Sequence, residues 1–509
     1  MPLMDRLKPH AGAISILLFA VLGFVLIYER PIWRDEAQFW LILRDSASVA
    51  DLLDKLQHEG HPPLFYLLSY PLSQRFVDPL ALQVLHWAIG VIGICFFWWA
   101  APFRVLNKIL FTFGFFPFYE YFVVARSYGL VLLLIMITAS LTPLRRRTYI
   151  PLGLVLGLLA MTHGYSLVIA CVIAGIAVGE WMLSRDLRTG PNGKDRSWDP
   201  ALALTLFLVL LGAALYPILA TPDVRDDLVS PALDAPRIFR AAARMLQGLT
   251  IFLPNPTTVI EVGLIVLAGL LVLLFTAYWV RHHRFALGVL LFATTSLLVF
   301  MTVIFAGTAH RHGGFFFLIF LFVVWVRVAE PQRDPGSPRA KRGDGLAIFG
   351  TLALVVHLCA AIAFHARDAF VLPPSAGKVT AAYLVNEGLE NRFIIGSESL
   401  KMAPLSVYMD RAFYAPQTQA MATYAEWGTY ERIDLDEVLR RVGKVVCRHH
   451  PELGPEAYST TNPPLFIVTE AEPLIPRPGL SLIASFTQGR REQYLIYEID
   501  PVRWPCPRL

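Results

Sequence analysis

The residues best suited to chemistry lie between Trp33 and Tyr66, in WRDEAQFWLILRDSASVADLLDKLQHEGHPPLFY, just after a long apolar run. Asp35, Glu36, His58, Glu59 and His61 crowd this stretch, and charge beside membrane-spanning runs is expensive enough that it usually serves a purpose. The Asp35-Glu36 pair reads in two ways. It is a solvated pair answering Arg30 and Arg34, or it supplies a general base for a hydroxyl or amine, with adjacent carboxylates dividing the roles. His61-Pro62-Pro63 stops regular structure, because Pro63 pushes Pro62 out of the helical region and neither proline offers an N–H. His58-Glu59-Gly60-His61 departs from the zinc-protease pattern, which needs histidines at i and i+4 of one helical face. A divalent metal combining His61 with Asp35 or Glu36 stays open, and no other cofactor is implied.

Further along, Arg126 follows the aromatic run FFPFYEYFVVA and precedes the next apolar segment. It reads either as an arginine snorkelling to the membrane interface or as a planar fork for the phosphate of a lipid carrier. Arg311, in the His310-Arg311-His312 turn, is a second candidate for that phosphate. His163, in a tight Thr162-His163-Gly164 turn, joins His61 and His312 as residues that would orient a substrate.

These residues need elements to hold them, and the composition says of what kind. The chain has 509 residues, 55% of them hydrophobic and 16% charged, with a mean hydropathy of +0.53; soluble domains carry a charged fraction nearer a quarter. The expectation is a polytopic helical membrane protein. Apolar runs near 11–28, 80–102, 107–124, 127–143, 150–163, 165–183, 201–220, 259–280, 285–306, 313–329 and 346–365 give about eleven transmembrane helices, two of them short, against about 20 residues for a full crossing. The first is a retained anchor, since no small-x-small cleavage site precedes Glu29-Arg30. The net charge of +5 does not point to nucleic acid.

Arginines and lysines fall in alternate connections, such as Arg104/Lys108, Arg145-Arg146-Arg147, Arg281/Arg284 and the Pro-, Gly- and Arg-rich 330–344 segment. The positive-inside rule makes these cytoplasmic and places the N-terminus inside. Loops 29–79 and 221–258, together with Arg126, His163 and the His310-Arg311-His312 turn, then share the external face. SASVADLLDKLQ, with Ser46 or Ser48 as N-cap, and PRIFRAAARMLQGL read as amphipathic helices of these loops. The chain thus divides into a transmembrane part, 1–366, and an extracytoplasmic part, 367–509. The second reads as a small α/β domain with a helix near 375–390 and strand-like runs RFIIGS, LFIVTE, LSLIASF and EQYLIYEI, the last two forming a hairpin. Cys95, Cys171 and Cys359 sit in apolar runs as core residues. Cys447 and Cys506 would pair if their region is oxidising.

An acidic pair after the first span (RDEAQFW), a downstream HPPLFYLL, an arginine in ARSYGL, a THGY turn and a late basic site together resemble the C-type glycosyltransferases. The nearest resemblance is to bacterial relatives of the protein O-mannosyltransferases and aminoarabinose transferases (glycosyltransferase families 39 and 83), over residues 10–330. The resemblance implies a membrane enzyme that moves a sugar, with inversion, from a polyprenyl-phosphate carrier to an extracytoplasmic acceptor: a glycolipid, polysaccharide or protein. It implies Asp35 as the base, Glu36 beside it, Arg126 and Arg311 on the donor phosphate, and His61, His163 and His312 about the substrates. The rival expectation is a transporter or flippase of a lipid-linked oligosaccharide, which would place polar groups on broken helices at the bilayer midplane. A third is a non-catalytic scaffold.

Overall fold

A computed structural model describes residues 10–184, 187, 198–219, 235–250, 258–304, 309–330, 343–448, 462–470 and 472–504. Outside these lie most of the expected cytoplasmic loop 330–344, parts of the external loop 221–258, and Cys506, so the expected pairing with Cys447 falls outside the described residues. Among the described residues nine helices are long and apolar enough to cross a membrane, and the chain is a polytopic helical protein with a small C-terminal sheet domain. It divides into two compact units. The first comprises Met1–Ile27, Glu59–Leu68 and Val84–Phe364; the second comprises Tyr28–His58, Ser69–Gln83 and His365–Leu509.

The first unit is helical. Its elements are α1 (Ala11–Glu29), the amino-terminal half of α4 (Leu64–Ser73), most of α5 (Leu80–Ala100), α6 (Val105–Thr112), α7 (Tyr128–Leu141), α8 (Ile150–Ala160), α9 (Gly164–Leu183), α10 (Trp198–Leu219), α11 (Ala235–Thr250), α12 (Val259–Val280), α13 (Arg284–Val299), α14 (His310–Ala329) and α15 (Gly343–Phe370). Leu17, Val21 and Val25 on α1, Leu208 and Val209 on α10, and Leu267, Leu271 and Leu274 on α12 are exposed. Such apolar stripes on long helices suit hydrocarbon, where backbone groups must be satisfied within the helix itself. α14 is enclosed, with Phe315, Phe316, Leu318, Ile319, Phe322 and Val323 buried along its length.

Two expected spans are not single long helices. The run near 107–124 is α6 followed by a π-helical turn over Phe115–Glu120. Gly114 separates the two pieces, and a Cβ there would lie 3.1 Å from the carbonyl of Leu110. The following Pro117 lacks the N–H that an α-helical ladder needs. The freed aromatic segment acts as a wedge: Phe122 enters the space left by Gly23 of α1 and Gly90 of α5, whose Cβ positions would lie 2.1 and 2.2 Å from its ring. The run near 150–163 is α8, with 11 residues. It ends where Thr162-His163 turn the chain into α9.

The second unit has α2 (Arg34–Arg44), α3 (Val49–Glu59) through His58, and a mixed sheet with its helices: α16 (Gly377–Asn386), β1 (Ile394–Gly396), α17 (Ser399–Met409), β2 (Phe413–Ala415), β3 (Ala420–Ala422), α18 (Leu435–Arg448), β4 (Leu465–Val468), β5 (Leu480–Phe486) and β6 (Tyr494–Ile499). Ser48 caps α3, accepting from the Asp51 N–H at 3.1 Å. Strand order is β3-β2-β1-β4-β6-β5, with β1 parallel to β2 and β4, and β6 antiparallel to β4 and β5. The period of two sorts side chains to opposite faces. Ile395, Phe466, Val468, Leu495 and Tyr497 meet α18 on one face, while Ile394, Leu465, Ile467, Tyr494 and Ile496 meet α16 and α17 on the other. Each fully buried aliphatic or aromatic residue contributes on the order of 2 kcal/mol, so these two layers hold the unit together. α2 packs against α17, the Tyr408 hydroxyl accepts from the Ile32 N–H at 2.9 Å, and the Gln38 amide pairs both ways with the backbone of Ala425 at 2.7 and 3.0 Å.

Candidate functional site

In the first unit three helices begin at one place. Tyr128 starts α7, Gly164 starts α9 and His310 starts α14. Ring contacts tie their first turns together: Tyr128 to His163 at 5.2 Å, Tyr165 to His312 at 5.1 Å, and both His163 and Tyr165 to Phe315 at 4.9 Å. His310-Arg311-His312 is therefore the first turn of α14, not the free turn expected from the sequence. Each helix N-terminus carries about half a positive charge, so three together supply roughly one and a half charges, with Arg126 and Arg311 added.

Arg126 approaches from the segment preceding α7. Its Nη2 donates to His61 Nε2 at 3.0 Å, which leaves the His61 proton on Nδ1, since an arginine can only donate. His61 sits in the Pro-Pro turn that precedes α4, and the backbone N–H of Leu64 bonds the Met161 carbonyl at 2.8 Å, pinning that turn to the end of α8. His61 and His163 rings lie 6.3 Å apart. His163 is the N-cap of α9: its Nδ1 accepts from the Tyr165 N–H at 3.2 Å, so its proton is on Nε2, available as a donor. Low-polarity surroundings first, then the positive or imidazole neighbours His61, His312, Arg126 and Arg311, hold its basicity well below that of an ordinary histidine. Tyr121 joins the cluster, its hydroxyl donating to the Arg311 carbonyl at 2.7 Å. The arrangement is a cationic cluster with neutral imidazole donors, suited to an anion.

In the second unit α2 opens with the acid pair, and the structure separates the two carboxylates. Glu36 is 0% exposed. It accepts from Arg30 Nη1 at 2.7 and 3.0 Å and from the Trp33 N–H at 3.2 Å, the return arm of a capping box. Asp35 points elsewhere: its side chain is 25% exposed and 3.6 Å from Arg34 Nε. Beside them is a residue that pattern reading passes over. Glu492, just before β6, is 0% exposed and 3.9 Å from Arg34 Nε, and Arg491 stacks on the Trp33 ring at 3.9 Å.

His61, Arg126, His163, Arg311 and His312 are thus neighbours within the first unit, and Asp35 and Glu36 belong to the second. Tyr128, Tyr165 and Phe315 were missed, although each lies within three residues of a singled-out arginine or histidine. Glu492 had no signal beyond an acid following Arg490 and Arg491. His58 and Glu59 end α3, and Gly60 takes φ +63° to leave it. Among the described residues no group of three or more His, Cys, Asp or Glu is placed to hold a metal ion. The chain matches no protein-family model and no curated protein.

Proposed function

We propose that the chain is a membrane glycosyltransferase that moves a sugar from a polyprenyl-phosphate carrier to an extracytoplasmic acceptor. The observation that carries this reading is the meeting of three helix N-termini with Arg126, Arg311 and neutral imidazoles at one end of apolar helices. A phosphate whose lipid tail lies in hydrocarbon needs cations at the helix ends and apolar walls beyond them, and both are present.

In this reading Asp35 takes the proton of the acceptor hydroxyl or amine as that atom attacks the anomeric carbon. The bond from carbon to the phosphate oxygen breaks with inversion, and the electron pair leaves with the polyprenyl phosphate. Arg126, Arg311 and the helix dipoles meet the charge that grows on the departing phosphate, where preorganised donors act most strongly. His163, neutral with its proton on Nε2, would hydrogen-bond a substrate without adding charge. Glu36, held by Arg30 and the Trp33 N–H, fixes the start of α2 beside Asp35. Phosphate is a good leaving group, so no acid is required opposite it.

The test is release of free polyprenyl phosphate by the protein in nanodiscs, offered a panel of polyprenyl-phosphate sugars with membrane-extract acceptors, beside Asp35→Asn and Arg126→Ala. Release by the wild type alone, with a matching mass gain on one acceptor, names both substrates. No release from any donor by folded, monodisperse protein overturns the reading; movement of an intact lipid-linked sugar between leaflets would replace it with transport.

A further inference from the structure

Glu492 is the most unusual charge in the second unit. The carboxylate is fully enclosed, and neither oxygen completes a hydrogen bond within the described structure; burying an acid in that way is costly. Its backbone is nonetheless fixed: the Ala376 N–H donates to the Glu492 carbonyl at 3.1 Å, and Ser375 bridges to it. The Gly377 N–H occupies the Ser375 oxygen at 3.0 Å.

The cation nearest to it is shared. Arg34 Nε lies 3.9 Å from Glu492 and 3.6 Å from Asp35, beyond hydrogen-bond reach of either, and itself donates to no acceptor. We infer that Glu492 is a positioning residue for Asp35: its charge sets how much of the Arg34 cation Asp35 feels, and so how strongly Asp35 draws a proton. The inference rests on Asp35 being the base of the proposed transfer. With Glu492 neutral, Arg34 answers Asp35 alone and weakens it as a base. With Glu492 ionised, the cation is divided and a second negative charge faces Asp35, which strengthens it.

The groups facing Glu492 are few. Arg34 and Asp35 come from α2, Ser375 from the turn before α16, and Arg491 and Tyr494 from its own segment. Burial outweighs the pull of Arg34, Ser375 and Arg491, and with Asp35 opposing ionisation the carboxyl is pushed up to about 7. The switch would therefore act near neutral pH.

The experiment reads the Glu492 carboxyl directly. Infrared difference spectra of the full chain in nanodiscs, titrated from pH 4 to 9, are compared among wild type, Glu492→Gln and Asp35→Asn. A protonated-carboxyl band lost on Glu492→Gln should titrate near neutrality, and its midpoint should fall in Asp35→Asn, which removes the negative charge that opposes Glu492 ionisation and leaves Arg34 to Glu492. Turnover, measured alongside, should rise with pH through neutrality in the wild type, become flat and about tenfold lower in Glu492→Gln, and recover its slope in Glu492→Asp. A Glu492 midpoint unmoved by Asp35→Asn overturns the inference, as does a turnover slope that persists in Glu492→Gln. Absence of turnover in every protein, with the Glu492 midpoint still shifted in Asp35→Asn, would instead sink the transferase reading and leave the coupling standing.

Discussion

At the scale of single residues, Asp35 and Glu36 are adjacent and chemically alike, yet the structure gives them different surroundings. Position decides it: Glu36 is the third residue of α2, where its carboxylate reaches back to the Trp33 N–H and onto Arg30. Removing its charge leaves Arg30, 9% exposed, without this partner, and breaking a buried pair costs about 3 kcal/mol. Glu36→Gln should therefore lower the thermal midpoint by several degrees, while Asp35→Asn leaves it nearly unchanged and abolishes transfer; thermal unfolding followed by tryptophan fluorescence separates the two. Arg126 makes the complementary case. Arg126→Ala should cut turnover by about 10² to 10³, the range for losing one preorganised donor, and Arg126→Lys should restore only part of it, because a point charge replaces a fork. Equal activity of wild type and Arg126→Ala in the release assay would remove Arg126 from the donor site. The sequence made these residues visible by type, but not the division between the carboxylates, which depends on where α2 begins.

Among the elements, the bundle owes its site to close helix approaches that leave no room for side chains. α11 crosses α14 at paired glycines: a Cβ on Gly248 would lie 2.0 Å from the Gly313 carbonyl, and one on Gly313 would lie 2.4 Å from the Arg244 carbonyl. Next door, a Cβ on Gly314 would strike the Tyr121 hydroxyl at 2.2 Å. Backbone against backbone cannot yield as a flexible side chain does, so Gly248→Ala should force α14 away and shift Arg311 and His312 with it. The expected outcome is loss of donor binding with the protein still inserted and helical, read by circular dichroism beside the release assay. The small-residue pairing that permits close helix contact in membranes was present in HRHGG and LQG, but a single chain does not say which glycines face each other. Strand runs RFIIGS, LFIVTE, LSLIASF and EQYLIYEI were legible because their apolar character or alternation survives as β1, β4, β5 and β6. β2 and β3, three residues each, are too short for a period to register. α17 and α18 were not expected, although α18 carried a start signal in Asp434, whose carboxylate accepts from the Glu437 N–H at 2.8 Å.

For the molecule as a whole, the two units carry buried acids perturbed in opposite directions, which gives each its own response to pH. At the far ends of α7, α9 and α14 from the imidazole cluster, Glu330 meets Arg145, Arg146 at 3.2 Å and His283 at 3.3 Å. Hydrogen bonds and charge from His283 and Arg145 overcome burial and hold Glu330 down to about 2. A depressed acid stabilises the folded state above the unfolded value near 4.5 and loses that contribution as pH falls through the folded value. Acid therefore weakens the first unit between about pH 4.5 and 2. Glu492 behaves in the reverse sense. Raised to about 7, it binds a proton more tightly folded than unfolded, so its contribution is full below about 4.5 and is lost as pH rises through neutrality, on the order of 3 kcal/mol. Glu437, held to about 2 by Arg440 and Arg441, is ionised in both states across that window and takes no part. Limited proteolysis, with fragments assigned by mass, should find cleavage near 365–504 favoured at pH 8 over pH 5 in the wild type. Glu492→Gln should remove that difference, because a neutral amide does not ionise, while Glu330→Gln should leave it in place and instead open the first unit at pH 5. A wild type equally resistant at both pH values would show that Glu492 keeps the same protonation in the folded and unfolded unit, and the buried charge beside Arg34 would then have to be permanent.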